Sequence, residues 1–341
     1  MRLLTPRKIL PALGVLLSGA LYVYGQTNSP TKTLSAPVRR VAFDREAFFG
    51  EGQAMPHWSN GYLVARRVET FQPGIPNVRI YDQDGHRVRE AAIWFAESQR
   101  VIIYSVAVTA KGEIVTGGST HKADGTTVPF ISLSDASGNL VSVLQTIGFG
   151  PKNICLAPDG TVWSFGGTGY DEASQPNPGD MLRHFDLQKG QLGTYLPRST
   201  FSSKLSSGPE IRAQIDCSGD AITIYSSTAG AYIEMKYTDA SPRVYDVAPP
   251  PELKLIGFAI CGPEQVYGSF SRSDFGGLYY LTFDLAGKPV RWSPVQGTVG
   301  RLTDPGVISG LWGAEGNRLL VSREDDSIGV QAVHWTQVIG H

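Results

Sequence analysis

Beyond residue 30 the apolar positions of this chain come in short runs, broken every few residues by turns rich in Gly, Asp, Asn and Pro. Residues 154–167 set the pattern: a short apolar strand, the turn Pro158-Asp159-Gly160, then a second apolar strand ending in Gly166 and Gly167. Asp-Gly between two apolar runs signals a β-hairpin, because glycine takes the positive φ of the tight turn without steric cost. Similar hairpins lie at 57–65, 106–118, 211–224, 258–268 and 308–321. From Gly61 to Gly316 the five steps between the six copies span 255 positions, a mean of 51.

A second kind of hairpin, in which an apolar or aromatic residue precedes Asp and a turn, alternates with the first. It occupies 80–88, 131–141 and 184–190, with weaker copies at 236–245 and 281–290. Two hairpins per period make four strands per period, and four strands repeating about every 50 residues predict a β-propeller. The predicted fold class is all-β: a six-bladed β-propeller of four-stranded antiparallel blades. The first hairpin supplies the inner strands a and b of a blade, the second the outer strands c and d. No amphipathic helix is predicted after residue 30, and 91–97 is the ambiguous run. The six inner hairpins outnumber the five outer ones. The last blade has strands a and b, then 328–335 as strand c, and there the chain stops. Residues 38–43 are expected to supply its d strand, which closes the ring and leaves no free inner edge.

The N-terminus reads differently. Arg2, Arg7 and Lys8 precede an almost wholly apolar stretch, 9–24, and small residues suit cleavage after Ala20 or Gly25. This describes an export signal, or an uncleaved anchor. The expected layout is a signal or anchor over 1–25, a linker over 26–37 and the propeller over 38–341. The protein is expected to be exported, periplasmic or extracellular, and tethered to the membrane only if the segment stays uncleaved.

Composition agrees and excludes some roles. Charged residues make up 18% of the chain and 39 residues are glycine, a low-charge, turn-rich profile against averages of roughly 25% charged and 7% glycine. A net charge of −1 argues against nucleic acid, whose binders need a basic surface. Of three cysteines, Cys217 and Cys261 sit at corresponding turns of consecutive repeats. They either pair or remain buried thiols, and an odd count leaves at least one free.

In such blades the d-to-a and b-to-c connections share one face. The longest b-to-c loop is 168–179, and others are 120–125, 271–276 and 323–326; the long d-to-a loop is 197–209. Loops on a rigid scaffold are where binding usually resides. The candidate ligand-binding residues are therefore Tyr170, Asp171 and Glu172, with His121, Asp124, Arg272, Asp274 and Arg323. No Gly-x-Ser-x-Gly elbow or P-loop is present.

The repeat resembles the six-bladed propeller superfamily that includes NHL-repeat, TolB-like and gluconolactonase-type proteins. The resemblance covers roughly 38–336 and rests on the repeat and on hairpins such as Pro158-Asp159-Gly160. In the gluconolactonase-type enzymes a Glu, an Asn and an Asp hold a divalent cation. The resemblance implies Glu51 and Asn153 as matches to the first two, while Asp304 fits the third poorly. Two functions follow as expectations. One is an exported, monomeric scaffold that engages a protein, peptide or glycan on its loop face. The alternative is a metal-dependent hydrolase or lactonase with a site in the central channel.

Overall fold

In the computed structural model, the residues described are 31–37, 39–41, 57–167, 179–202, 208–239, 241–325 and 330–340. They form six antiparallel sheets. Blade 1 is His57–Ser59, Tyr62–Arg66, Val78–Tyr81 and Arg87–Ala91. Blade 2 is Ser98–Val108, Ile114–Lys122, Thr127–Ser134 and Leu140–Gln145, with the short strand Glu69–Thr70 added to its inner edge. Blade 3 is Gly150–Leu156, Val162–Gly167, Asp180–Asp186 and Gly190–Pro197. Blade 4 is Ala213–Asp216, Ala221–Ser226, Ala231–Lys236 and Arg243–Asp246. Blade 5 is Lys254–Ile260, Val266–Arg272, Phe275–Phe283 and Pro289–Pro294. Blade 6 holds Ile308–Glu315, Arg318–Asp325 and Val330–Gly340. The a–b pair of every blade and the c–d pair of blades 1 to 5 match a predicted hairpin. The run 91–97 contains no helix, and among the described residues the only helix is the 3-10 turn Arg198–Thr200.

The strand Val330–Gly340 carries two partners from the other end of the chain. Arg39–Val41 pairs with it in the register Arg39 to Trp335 and Val41 to Val333. Lys32–Leu34, within the stretch expected as a linker, pairs with it as well, in the register Lys32 to Gly340 and Leu34 to Val338.

The core is a ring of seams rather than one central mass. Each of six buried apolar clusters joins two neighbouring blades. Blades 6 and 1, for example, share Leu63, Tyr81, Leu320 and Trp335, while blades 4 and 5 share Tyr225, Tyr232, Phe270 and Trp292. This follows from strand alternation. One face of each sheet packs on the blade before it and the other on the blade after it, so both faces must be apolar. Strand b of blade 4, Ala221–Ser226, is buried along its whole length.

The Asp of the second hairpin kind is a turn brace. Asp135 Oδ1 accepts hydrogen bonds from the amides of Ser137 and Asn139, both at 2.9 Å. Asp284 Oδ1 accepts those of Ala286 and Lys288, both at 2.8 Å. Each brace is followed by a glycine in the left-handed region, Gly138 at φ 85° and Gly287 at φ 74°. The side chain substitutes for a strand partner where the backbone reverses.

The cysteines correct one expectation. Cys155 and Cys217 form a disulfide with their Cα atoms 5.7 Å apart, and Cys261 is the free thiol. Cys217 faces back to the seam with blade 3, beside Trp163 and Phe165, whereas Cys261 faces forward to the seam with blade 6, beside Leu34. Equivalent turn positions thus point to opposite sides of their blades. Burial pushes the Cys261 thiol well above its ordinary range, which keeps it protonated and unreactive.

Candidate functional site

The first strands of all six blades face one another around the ring axis. They enclose a cavity of about 530 Å³, lined by His57 and Trp58 of blade 1, Tyr104 and Ser105 of blade 2, and Lys152 and Asn153 of blade 3. Residues 210–216 of blade 4, 255–260 of blade 5 and 311–314 of blade 6 complete the wall. This is within the usual size range of small-molecule sites.

An innermost strand has one edge without a sheet partner, so its backbone groups need other partners. Side chains of the neighbouring blade supply them. His57 Nε2 donates to the Val106 carbonyl at 2.6 Å, and the Val108 amide donates to Ser59 Oγ at 3.0 Å. The Ile154 amide donates to Ser105 Oγ at 3.2 Å. Asn153 Nδ2 donates to the Glu210 carbonyl at 2.8 Å and the Phe165 carbonyl at 3.3 Å. Gln214 Nε2 donates to the Phe258 carbonyl at 2.7 Å. These bonds link blades 1 to 2, 2 to 3, 3 to 4 and 4 to 5. Burial lowers the His57 imidazole to about 4, so at neutral pH it is the neutral donor this bond requires.

The end of the cavity nearest the b-to-c and d-to-a connections carries cations. Arg66 ends strand b of blade 1, and its Nη1 donates to the Ile103 carbonyl at 2.5 Å. Burial lowers it to about 10, which leaves it charged. The Lys152 ammonium lies 3.3 Å from the centre of the Tyr104 ring, a cation–π contact. Arg212 Nη2 reaches the Leu255 carbonyl at 3.5 Å. Among the described residues none of the three forms a salt bridge with a carboxylate. Glu210 lies at the same end. Its carboxylate packs against Gly167, where a Cβ would come within 2.7 Å of Oε1, so that glycine makes room for it. At the far end Asp216 is half-buried and accepts from Ser218 Oγ at 2.6 Å, and desolvation raises its carboxyl above the usual range.

The predicted site residues are scattered relative to this cavity. Tyr170, Asp171, Glu172 and Glu51 lie outside the described residues. His121 lies near the end of strand b of blade 2 and Asp124 in the tight turn that follows, since strand b runs further than expected and absorbs half of the predicted loop. His121 accepts from Arg100 at 3.1 Å and bonds Thr127 Oγ1 at 2.9 Å. Burial, then the charge of Arg100, lowers its imidazole, against an opposing pull from Glu69. Asp124 braces its turn through the Thr126 amide at 2.8 Å. Arg272 stacks over Phe275, 5.3 Å from the ring centre, and Asp274 sits in the turn between them. Arg323 is half-buried in strand b of blade 6, its Nε buried without a hydrogen-bond partner.

Asn153 does line the channel. Its amide nitrogen is committed to two carbonyls, with Lys152 before it in the same strand and Arg212 at the start of the next blade. The Asn153 Oδ1 is the atom a cation would take, and Glu51, the other ligand the resemblance implies, lies outside the described residues.

The residues missed by sequence reasoning are Arg66, Tyr104, Lys152, Glu210 and Arg212. All lie on or just beside predicted inner hairpins. The available signal was a basic residue at the loop-face end of an inner strand in blades 1, 3 and 4.

No family model matches the chain, and no curated protein matches it. Among solved structures it is similar to a protein of unknown function from Dyadobacter fermentans, 10% identical with a TM-score of 0.49 over 90% of this chain and 99% of that one. A luciferin-regenerating enzyme is 12% identical, TM-score 0.47, over 91% and 95%. The PQQ-bound aldose sugar dehydrogenase of Streptomyces coelicolor is 11% identical, TM-score 0.46, over 90% and 98%. This chain is a six-bladed β-propeller on its own sheet topology.

Proposed function

We propose that this chain is an exported binding propeller, a monomer that engages a protein, peptide or glycan through its loop face, centred on the mouth of the axial cavity. The observation that carries this reading is the use made of the inner wall. His57, Asn153 and Gln214, three polar side chains of the channel wall, donate to backbone carbonyls of the next blade, and Asn153 to that of Phe165 as well. They act as clamps, and a rigid open cavity with clamped walls suits recognition. Export rests on the basic-apolar N-terminus and on the disulfide between blades 3 and 4, a bond that persists in oxidising compartments.

The test is capture by the immobilised mature chain on peptide and glycan arrays and from extracellular extract. Two variants serve as probes: Arg272→Ala with Asp274→Ala, and Tyr170, Asp171 and Glu172 all to Ala. The expected result is a partner retained by the native chain and lost from at least one variant. Identical capture profiles for all three proteins would remove the loop face as the contact surface.

A further inference from the structure

Arg66, Lys152 and Arg212 come from three different blades, yet all reach the same end of one cavity. Their partners are two carbonyls and an aromatic ring. Neutral partners orient a cation without cancelling its charge. Glu210 lines the same end and offsets one of the three, and the mouth keeps a net positive charge in a chain of net charge −1. Concave walls of low dielectric also focus their field at the mouth. The same wall also carries the apolar and aromatic side chains of Phe258, Leu311 and Trp312.

Resting on the reading of the cavity mouth as the binding centre, we propose that it is a receptor site for a carboxylate carried on an apolar or aromatic body. The guanidinium of Arg212 and the ammonium of Lys152 take the carboxylate oxygens, with Arg66 behind them. The body of the ligand lies against Phe258 and Trp312. Guanidinium forks match a carboxylate in geometry as well as charge. A cavity of about 530 Å³ accommodates one aromatic ring and a short chain, so the carboxylate is either that of a small free acid or the C-terminus of a peptide.

Titration of the mature chain, read by calorimetry and by tryptophan fluorescence, separates these sources. The probes are phenylacetate with phenylacetamide, N-acetylphenylalanine with its amide, a peptide ending in Phe with its C-terminal amide, and inorganic phosphate. The expected result is saturable binding of at least one acid, tenfold or more tighter than its amide and weakened by added salt. Binding of the small acids points to a free metabolite, and binding of the peptide acid alone to a chain terminus. Lys152→Gln and Arg212→Gln should each weaken the acid about tenfold or more and leave the amide unchanged. Lys152→Arg should retain binding, which shows that the Gln variant fails through lost charge and not lost fold; circular dichroism of each variant checks this directly. Equal binding of acid and amide, binding of phosphate but no organic acid, or no binding at all overturns the proposal. If acids fail while array capture by the loop face persists, the anion site falls and the binding-propeller reading stands. If both fail, both fall.

Discussion

In an outer hairpin, the residue that holds the turn is the Asp that precedes it. Asp135 and its two amide donors lie within five residues of one another. On the inner wall, the residue that holds a strand belongs to another blade. His57 and Val106 are 49 positions apart, and Asn153 and Glu210 are 57 apart. Local braces survive wherever the local sequence survives. Cross-blade clamps exist only once the ring has assembled, so they should carry the cooperativity of the fold. The inner wall is also where the cavity lies, so stability and binding compete there for the same side chains.

That contrast is open to test. The largest effect is expected at the covalent link between inner strands. Replacing Cys155 and Cys217 by Ser should cost about 2–5 kcal/mol, read as a lower urea midpoint, and reduction of the native chain should reproduce it. A loss well below that range would mean that the seam of blades 3 and 4 holds without its bond.

Acid should act next through His57. Burial holds its folded value near 4, below the ordinary 6.5, so the unfolded chain takes up the proton first as pH falls. The neutral clamp is fully stabilising above pH 6.5. Its contribution drains between 6.5 and about 4, by about 3 kcal/mol in total. Urea titrations at pH 7 and pH 4.5 should show this loss in the native chain, and His57→Gln should flatten the difference between them.

Asn153→Ala should cost about 1–3 kcal/mol, because it strips a donor from the Glu210 carbonyl and leaves that group to find water. Chemical denaturation should show it with no change in the denaturant slope. The local brace Asp159, in the a-to-b turn of blade 3, should matter least. It lies at an exposed turn, where Thr161 bonds hold its carboxyl below the usual range. Its contribution is present above pH 3.8 and lost as pH falls through that lowered value. Asp159→Asn should lower the melting temperature by only about 1–3 °C. If Asp159→Asn destabilises as much as Asn153→Ala, the division between local braces and ring clamps is wrong.

The blades were legible in the chain of residues alone. Hairpin signals are local: Asp159-Gly160 or Asp135 with Gly138 specify a reversal whatever lies beyond, and their period counts the blades. The sequence also placed 38–43 next to the last strand, and Arg39–Val41 pairs there with Trp335–Val333. It could not show how far strands would extend. The stretches at 120–125 and 271–276 read as loops, but pairing in blades 2 and 5 carries the strands through them to tight turns. The remaining features depend on the assembled ring. Cys155 and Cys217 are 62 positions apart, and only the arc of the ring brings strand a of blade 3 beside strand a of blade 4. The cation cluster has the same origin. Arg66, Lys152 and Arg212 are unremarkable as isolated basic residues in three hairpins. They become a site because a closed ring turns the ends of its inner strands toward one axis, and no local rule of sequence encodes that convergence.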